Sequence, residues 1–154
     1  MHQSYRIAIA WFALFGALLL ASGMVLFFSK IGFSYEAVKS YYLGSEALFI
    51  NPKSSYGLLE TALPHLGSMG LFIMVTGHFF LFTTKQQKQH AIKIVISLFI
   101  AALFDIFSGF FIVEGWIFFV WIKLLAFGIL QILGLYLLWL LFNTVWQGIF
   151  TQRR

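Results

Sequence analysis

Histidine is the side chain of this sequence best suited to bind a metal or a haem iron, because the chain has four histidines and no cysteine. His65 and His78 lie 13 residues apart in one apolar run. This spacing corresponds to roughly 20 Å along a helix, a separation suited to the ligands of two haems stacked across a bilayer. Thirteen helical steps, however, place the two side chains roughly 140° apart. They are therefore candidate ligands that do not share one face of their helix.

Two further side chains are candidate second ligands of a haem iron. His90 begins the next apolar run on the side of the membrane where His78 is expected, so the two can approach one another. Met24 lies at about the predicted depth of His65, and a His–Met pair is a known form of axial ligation. We therefore expect haem b, with His65 and His78 as first ligands of the iron and His90 and Met24 as second ligands.

Structural roles for the same histidines remain open at the level of sequence. His65 can form an interfacial hydrogen bond with Glu60 or with the acid–base pair described next. His78 can make a buried polar contact with Thr76 or Gln131. A divalent metal site and a proton path are further alternatives for this region.

A second group of polar residues lies in the later apolar runs. Asp105 is the only aspartate of the chain, and Lys123 is the only lysine well inside an apolar run. Ionisable groups within a membrane are costly and are functional candidates by default. Both residues are expected roughly 9–12 Å below the outer surface, so an ion pair between them is predicted, either as a structural clamp or as a contact for a proton, an ion or a haem propionate. Gln131, eight residues beyond Lys123, extends this polar line inwards.

The elements that position these residues follow from the composition of the 154-residue chain. Its hydrophobic fraction is 61% and its charged fraction 10%, whereas a soluble domain is nearer half apolar and a quarter charged. The sequence therefore predicts an all-α integral membrane protein, with residues 1–154 forming a single transmembrane domain in the lipid bilayer. A bilayer core needs about 20 apolar helical residues. Four runs meet this length: 7–28, 62–83, 92–113 and 117–142 or longer.

Orientation in the membrane follows from the distribution of basic residues. Six of them fall in the terminal flanks and in the connection 83–93, whereas three fall on the opposite side. The basic side is expected to be cytoplasmic, so both termini are predicted to face the cytoplasm. Short connections make neighbouring helices antiparallel, which predicts an up-down-up-down four-helix bundle. The net charge of +5 reflects this topology, and nucleic acid is not an expected partner.

The outer connection, residues 29–61, is long for a compact bundle and is therefore predicted to be functional or a docking element. Ser34 is placed to cap a short helix over residues 35–43, and Gly44 is placed to end it. This amphipathic helix has a wide aromatic face formed by Tyr35, Val38, Tyr41 and Tyr42. Such a face is suited to the membrane surface.

The segment leading into the second apolar run has a likeness to other proteins. It contains Pro52-Lys53-Ser54 and Leu58-Leu59-Glu60, followed by His65, Met69 and His78. Over roughly residues 41–84 this succession resembles a group of uncharacterised bacterial four-helix inner-membrane proteins. The histidines alone give a looser similarity to small membrane b-type cytochromes. Members of the group often have His-x-His where this chain has Leu63-Pro64-His65, so one potential ligand is missing. The resemblance implies a multi-pass protein of the bacterial inner membrane and implies no particular activity.

Three classes of function are compatible with these residues. The first is a protein that binds haem b or partners a membrane redox complex, in an electron-transfer or quinone-side role. The second is a non-catalytic accessory or assembly subunit whose outer segment binds a larger membrane complex. The third is a small transporter or channel that uses Asp105, Lys123 and Gln131 and must then form homo-oligomers. Motifs for hydrolysis and phosphoryl transfer are absent from the sequence.

Overall fold

The structure is a computed structural model, and it describes residues 3–146 of the chain. The described part forms helices and no strands, and four of the helices are long and apolar enough to cross a membrane. The helices are α1 (Gln3–Lys30), α2 (Tyr35–Leu43), α3 (Ser55–Phe79), α4 (Lys85–Val113) and α5 (Phe119–Trp146). The predicted all-α bundle with four membrane-spanning helices is therefore confirmed.

The spanning helices are longer than the apolar runs from which they were predicted. α3 begins at residue 55 instead of 62, and α4 begins at residue 85 instead of 92. Each gains its extra turns because a polar side chain caps its start: Ser54 accepts a hydrogen bond from the backbone of Gly57, and Thr84 accepts one from Gln87. The length of an apolar run therefore indicates only the lipid-spanning part of a helix and not the whole helix. The last helix, expected over residues 117–142 or longer, extends to Trp146, and Gln147 lies outside the described residues.

The four long helices pack in a ring, in which α1 packs against α3 in one half of the bundle but not in the other. α5 packs against both α1 and α4, and α4 packs in turn against α3. We call the end of the bundle that carries α2 the outer end, and the opposite end the inner end. In the inner half α1 meets α3, where the ring of Phe12 lies against those of Phe72 and Phe79. In the outer half a cavity lies between α1 and α3.

Close packing in the inner half depends on small residues. A Cβ atom at Gly16 of α1 would lie 2.7 Å from Cε2 of Phe72, and one at Gly77 of α3 would lie 3.0 Å from Cγ2 of Val95. These glycines let neighbouring helices approach closely, as small residues generally do in membranes. The inner half is therefore filled by protein.

The short helix α2 has the predicted bounds but a different environment. Ser34 caps it by accepting a hydrogen bond from the backbone of Ala37, and Gly44 ends it with a φ of 81°. The prediction that its aromatic face lies on the membrane surface is wrong, because Val38 and Tyr42 are buried against α4 and α5. An apolar face buries itself equally well against protein, and here the outer ends of two helices provide the surface.

Candidate polar cavity

The predicted ion pair is present between α4 and α5. Nζ of Lys123 lies 2.8 Å from Oδ1 of Asp105 and also donates a hydrogen bond of 2.7 Å to the main-chain carbonyl of Asp105. The two side chains are only 9% and 13% exposed. They meet because a five-residue connection joins the two helices in antiparallel register, with Gly115 turning the chain at a φ of 94°. In this low-dielectric setting each charge depends on the other.

Tyr42 of α2 covers the ion pair from the outer end. Its ring packs so tightly on α4 that a Cβ atom at Gly109 would lie 2.8 Å from Cε1 of Tyr42, and glycine is therefore needed there. Burial raises the pKa of the Tyr42 phenol above its usual range, although the neighbouring Lys123 ammonium acts in the opposite direction. The phenol consequently stays protonated next to the charged pair. Tyr42 was not among the predicted site residues, although the 38/42 spacing of apolar residues on α2 could have indicated its inward face.

One buried acceptor oxygen of the cavity lacks a hydrogen bond. Gln131, two turns beyond Lys123 on α5, is only 4% exposed, and its Oε1 has no partner among the described residues. Oδ1 of Asp105, by contrast, has the Lys123 ammonium as its ion-pair partner at 2.8 Å. A buried polar atom without a partner costs about 1–3 kcal/mol. The structure therefore retains the amide oxygen of Gln131 at a cost in stability.

A cavity of about 290 Å³ lies between the outer halves of the helices. Asp105, Lys123, Tyr42 and Gln131 all line it, and so does His65 of α3. The remaining wall is mainly apolar and includes stacked aromatic rings, those of Phe27 and Phe127, whose centroids are 3.8 Å apart. A few convergent polar groups in an apolar wall are typical of a small-molecule site, and the volume lies at the small end of the usual range.

The cavity opens between α1 and α3. Its wall includes exposed residues on both helices, namely Leu26 and Lys30 on α1 and Thr61 and His65 on α3. At its far side, Lys123 and Gln131 of α5 are buried, and the Asp105 side chain of α4 is 13% exposed. The site is thus a pocket whose mouth lies on the side of the bundle, between two membrane-spanning helices.

His65 is the one predicted haem ligand that lines the cavity. Its Nδ1 lies 2.9 Å from the main-chain carbonyl of Thr61, to which it donates a hydrogen bond. With the proton on Nδ1, Nε2 of the neutral ring is an acceptor or a metal ligand. The alternative contact of His65 with Glu60 is replaced by this bond, and Glu60 itself is exposed and does not line the cavity.

The other predicted ligands lie elsewhere. His78 is exposed, and its ring lies edge-on to Phe82 rather than against Thr76 or Gln131. His90 pairs with Tyr136, whose hydroxyl is 3.1 Å from Nε2 of the histidine. Met24 packs against the apolar cluster at the outer end and does not line the cavity. Among residues 3–146, no group of three or more histidine or acidic side chains is arranged to hold a metal ion.

The fold and the cavity define an all-helical transmembrane domain with a polar site inside its outer half. A family model described as a transmembrane helical domain, Aq_1264_TM, matches residues 32–153, which include α2 to α5. The chain belongs to this family. Neither a curated protein nor a solved structure shows significant similarity to the chain.

Proposed function

We propose that the protein binds the head group of a quinol in its polar cavity and serves the quinone side of a membrane redox complex. The observation behind this proposal is the buried Oε1 of Gln131, which lacks a hydrogen-bond donor among the described residues and lines the same cavity as the Asp105–Lys123 ion pair. A ligand hydroxyl that donates to this oxygen removes the cost of its burial. Quinols carry two such hydroxyls on a planar ring and dissolve in the membrane.

The remaining wall of the cavity supports the same class of ligand. Nε2 of His65 is an acceptor at the mouth, which suits a second hydroxyl group. Phe27 and Phe127 form part of the cavity wall and offer aromatic contacts to a planar head group. The volume of about 290 Å³ suits a head group, and the mouth between α1 and α3 leaves an apolar tail in lipid.

Haem b is the second candidate, and a specific feature of His65 favours it. Histidines that ligate a metal usually donate their other ring N–H to a carbonyl or carboxylate, as Nδ1 of His65 does to Thr61. His65 would then hold the iron alone among the predicted ligands, because His78, His90 and Met24 do not line this cavity. The small volume of the cavity and the single ligand place quinol ahead of haem.

The biological setting is part of the proposal. The excess of basic residues at the inner end favours a cytoplasmic location for it, which would place the cavity near the outer face of a bacterial inner membrane. Its electron acceptor would be a partner redox complex. An accessory subunit without a ligand and an oligomeric transporter that uses Asp105 and Lys123 are the rival functions.

The test compares a short-tailed benzoquinol with its oxidised quinone, under anaerobic conditions, on the protein in lipid nanodiscs. Binding is measured as the ligand-dependent rise in unfolding temperature. We expect the quinol to bind about tenfold more tightly than the quinone, since only the quinol donates hydrogen bonds. Equal binding of the two forms, or none, contradicts the proposal and favours the accessory subunit.

Matched histidine variants on α3 complete the test. His65→Ala removes a cavity residue, whereas His78→Ala removes an exposed histidine of the same helix outside the cavity. We expect only the first to weaken quinol binding. A visible spectrum of the purified protein, oxidised and dithionite-reduced, decides on haem. A Soret band that is lost in His65→Ala and kept in His78→Ala would establish haem b in place of quinol.

A further inference from the structure

The turn that follows α2 is closed by backbone hydrogen bonds. Ser45 and Ile50 donate to each other's carbonyls at 2.8 and 2.9 Å, which makes an isolated antiparallel bridge. The chain then folds back on α2, because the backbone N–H of Lys53 donates to the carbonyl of Tyr42 at 2.9 Å. Gly44 permits this return, since a Cβ atom there would lie 2.8 Å from the carbonyl oxygen of Ile50. The turn is therefore held in one conformation.

The tip of this turn presents apolar side chains outward at an energetic cost. Phe49 is 95% exposed and Leu48 63% exposed. Phe49 has a φ of 52°, and among the described residues it is the only non-glycine with a positive φ. Such a conformation costs about 1–3 kcal/mol and persists where the surrounding structure imposes it, often at a site of interaction. The turn thus displays two large apolar side chains in a fixed and strained arrangement.

The position of the turn limits what its tip can reach. Tyr42 contacts Gly109, which lies four residues before the end of α4, so the end of α2 is sunk about 6 Å into the outer end of the bundle. The bridge begins at Ser45, two residues after α2 ends. On the other side, four residues lie between Ile50 and the start of α3, and the five Cα–Cα steps span at most about 18 Å. Short connections therefore hold the turn close to the membrane surface.

We propose that the tip of this turn, Leu48 and Phe49, inserts into the interfacial layer of the outer leaflet and anchors α2 to the membrane. Lipid is favoured over a protein partner because Tyr56, Leu59 and Leu63, on the turns of α3 that lead from this turn into the membrane-spanning run, are exposed and give the same side of the helix an apolar surface. Aromatic residues are enriched at this layer of the bilayer. This inference is independent of any ligand in the cavity.

Site-directed spin labelling tests the inference directly, because the native chain has no cysteine. Phe49→Cys and Leu48→Cys are labelled in vesicles of phosphatidylethanolamine and phosphatidylglycerol. Collision rates are then measured with oxygen, which concentrates in lipid, and with a water-soluble nickel chelate. We expect the oxygen-to-nickel ratio at both positions to be several-fold higher than at Glu46→Cys in the same turn. Leu125→Cys, on the exposed face of α5, provides the reference for a label in lipid.

Two results would overturn the inference. A ratio at positions 48 and 49 equal to that of Glu46→Cys places the tip in water. Protection from both reagents means that a second copy of the chain or another protein covers it. The unfolding temperature of each labelled variant is measured beforehand, so that loss of the fold is not mistaken for exposure. In the double variant Phe49→Gly with Leu48→Cys, the oxygen-to-nickel ratio should be lower than in Leu48→Cys alone, because the double variant loses the larger inserted side chain.

Discussion

The inner and outer halves of the bundle use the same helices in opposite ways. In the inner half, glycine allows close approach, and the space between α1 and α3 is filled by the rings of Phe12 and Phe72. In the outer half the two helices leave a cavity between them, and the far wall holds an ion pair and the buried amide of Gln131. Lipid cannot solvate the charged and polar side chains of this wall, so their burial is costly.

This difference indicates how stability and function are divided along the membrane normal. Dispersion between tightly packed side chains stabilises the inner half. The outer half keeps polar groups whose burial lowers stability, and the amide oxygen of Gln131 remains without a hydrogen bond from any described residue. Proteins commonly accept such a loss where a binding site requires it. Four predictions test this division, from the largest expected change in stability to the smallest.

Removal of the lysine of the ion pair should have the largest effect. Lys123→Met leaves the Asp105 carboxylate buried without its partner, and we expect the free energy of unfolding to fall by about 3–5 kcal/mol. The measurement is reversible unfolding in mixed detergent micelles. The double variant Lys123→Met with Asp105→Leu should recover most of this loss, because an apolar pair of similar volume needs no compensation. If the single and double variants are equally stable, the unpaired Asp105 charge is not what lowers the stability of Lys123→Met.

Overpacking should damage the inner half by a smaller amount. In Gly16→Ala the new methyl group would lie 2.7 Å from Cε2 of Phe72 and 3.2 Å from Leu138, and we expect a loss of about 1–3 kcal/mol in the same unfolding assay. Gly128→Ala is the matched control, because nothing lies within 4 Å of its Cβ position. That variant should be neutral or slightly more stable. Equal losses in both variants would show that space at Gly16 is not limiting.

Replacement of the unpaired amide should raise stability and abolish binding. Gln131→Leu removes a buried oxygen that has no donor, so we expect a gain of about 1 kcal/mol in the free energy of unfolding. Quinol binding, measured by the thermal shift described above, should be lost in the same variant. A loss of stability would mean that the amide has a structural role, and retained binding would place the ligand elsewhere.

The two histidines of α3 should differ in binding and hardly at all in stability. Both are exposed, so His65→Ala and His78→Ala are each expected to change the free energy of unfolding by about 0.5 kcal/mol or less. Only His65 lines the cavity, and only His65→Ala should weaken the ligand. If the two substitutions weakened binding equally, the ligand would not be bound in the cavity of the outer half.

The sequence alone determined those features that depend on local chemistry and on depth in the membrane. Apolar runs predicted the four spans, and Ser34 and Gly44 predicted both ends of α2, because capping uses residues adjacent in the chain. The Asp105–Lys123 pair was predictable because a short hairpin fixes the relative depth of two antiparallel helices. The lengths of the helices were underestimated, since capped helices continue through polar residues beyond the apolar runs.

Only the tertiary structure decided which side chains share a cavity. The rotation of each helix about its axis and the choice of its neighbours determine that Gln131 and His65 line one cavity and that His78 and His90 do not. The docking of Tyr42 depends on Gly109, 67 residues further along the chain. Such contacts result from packing between distant segments, and the periodicity of a single apolar helix carries no information about them, because in a membrane its lipid-facing and buried sides are equally apolar.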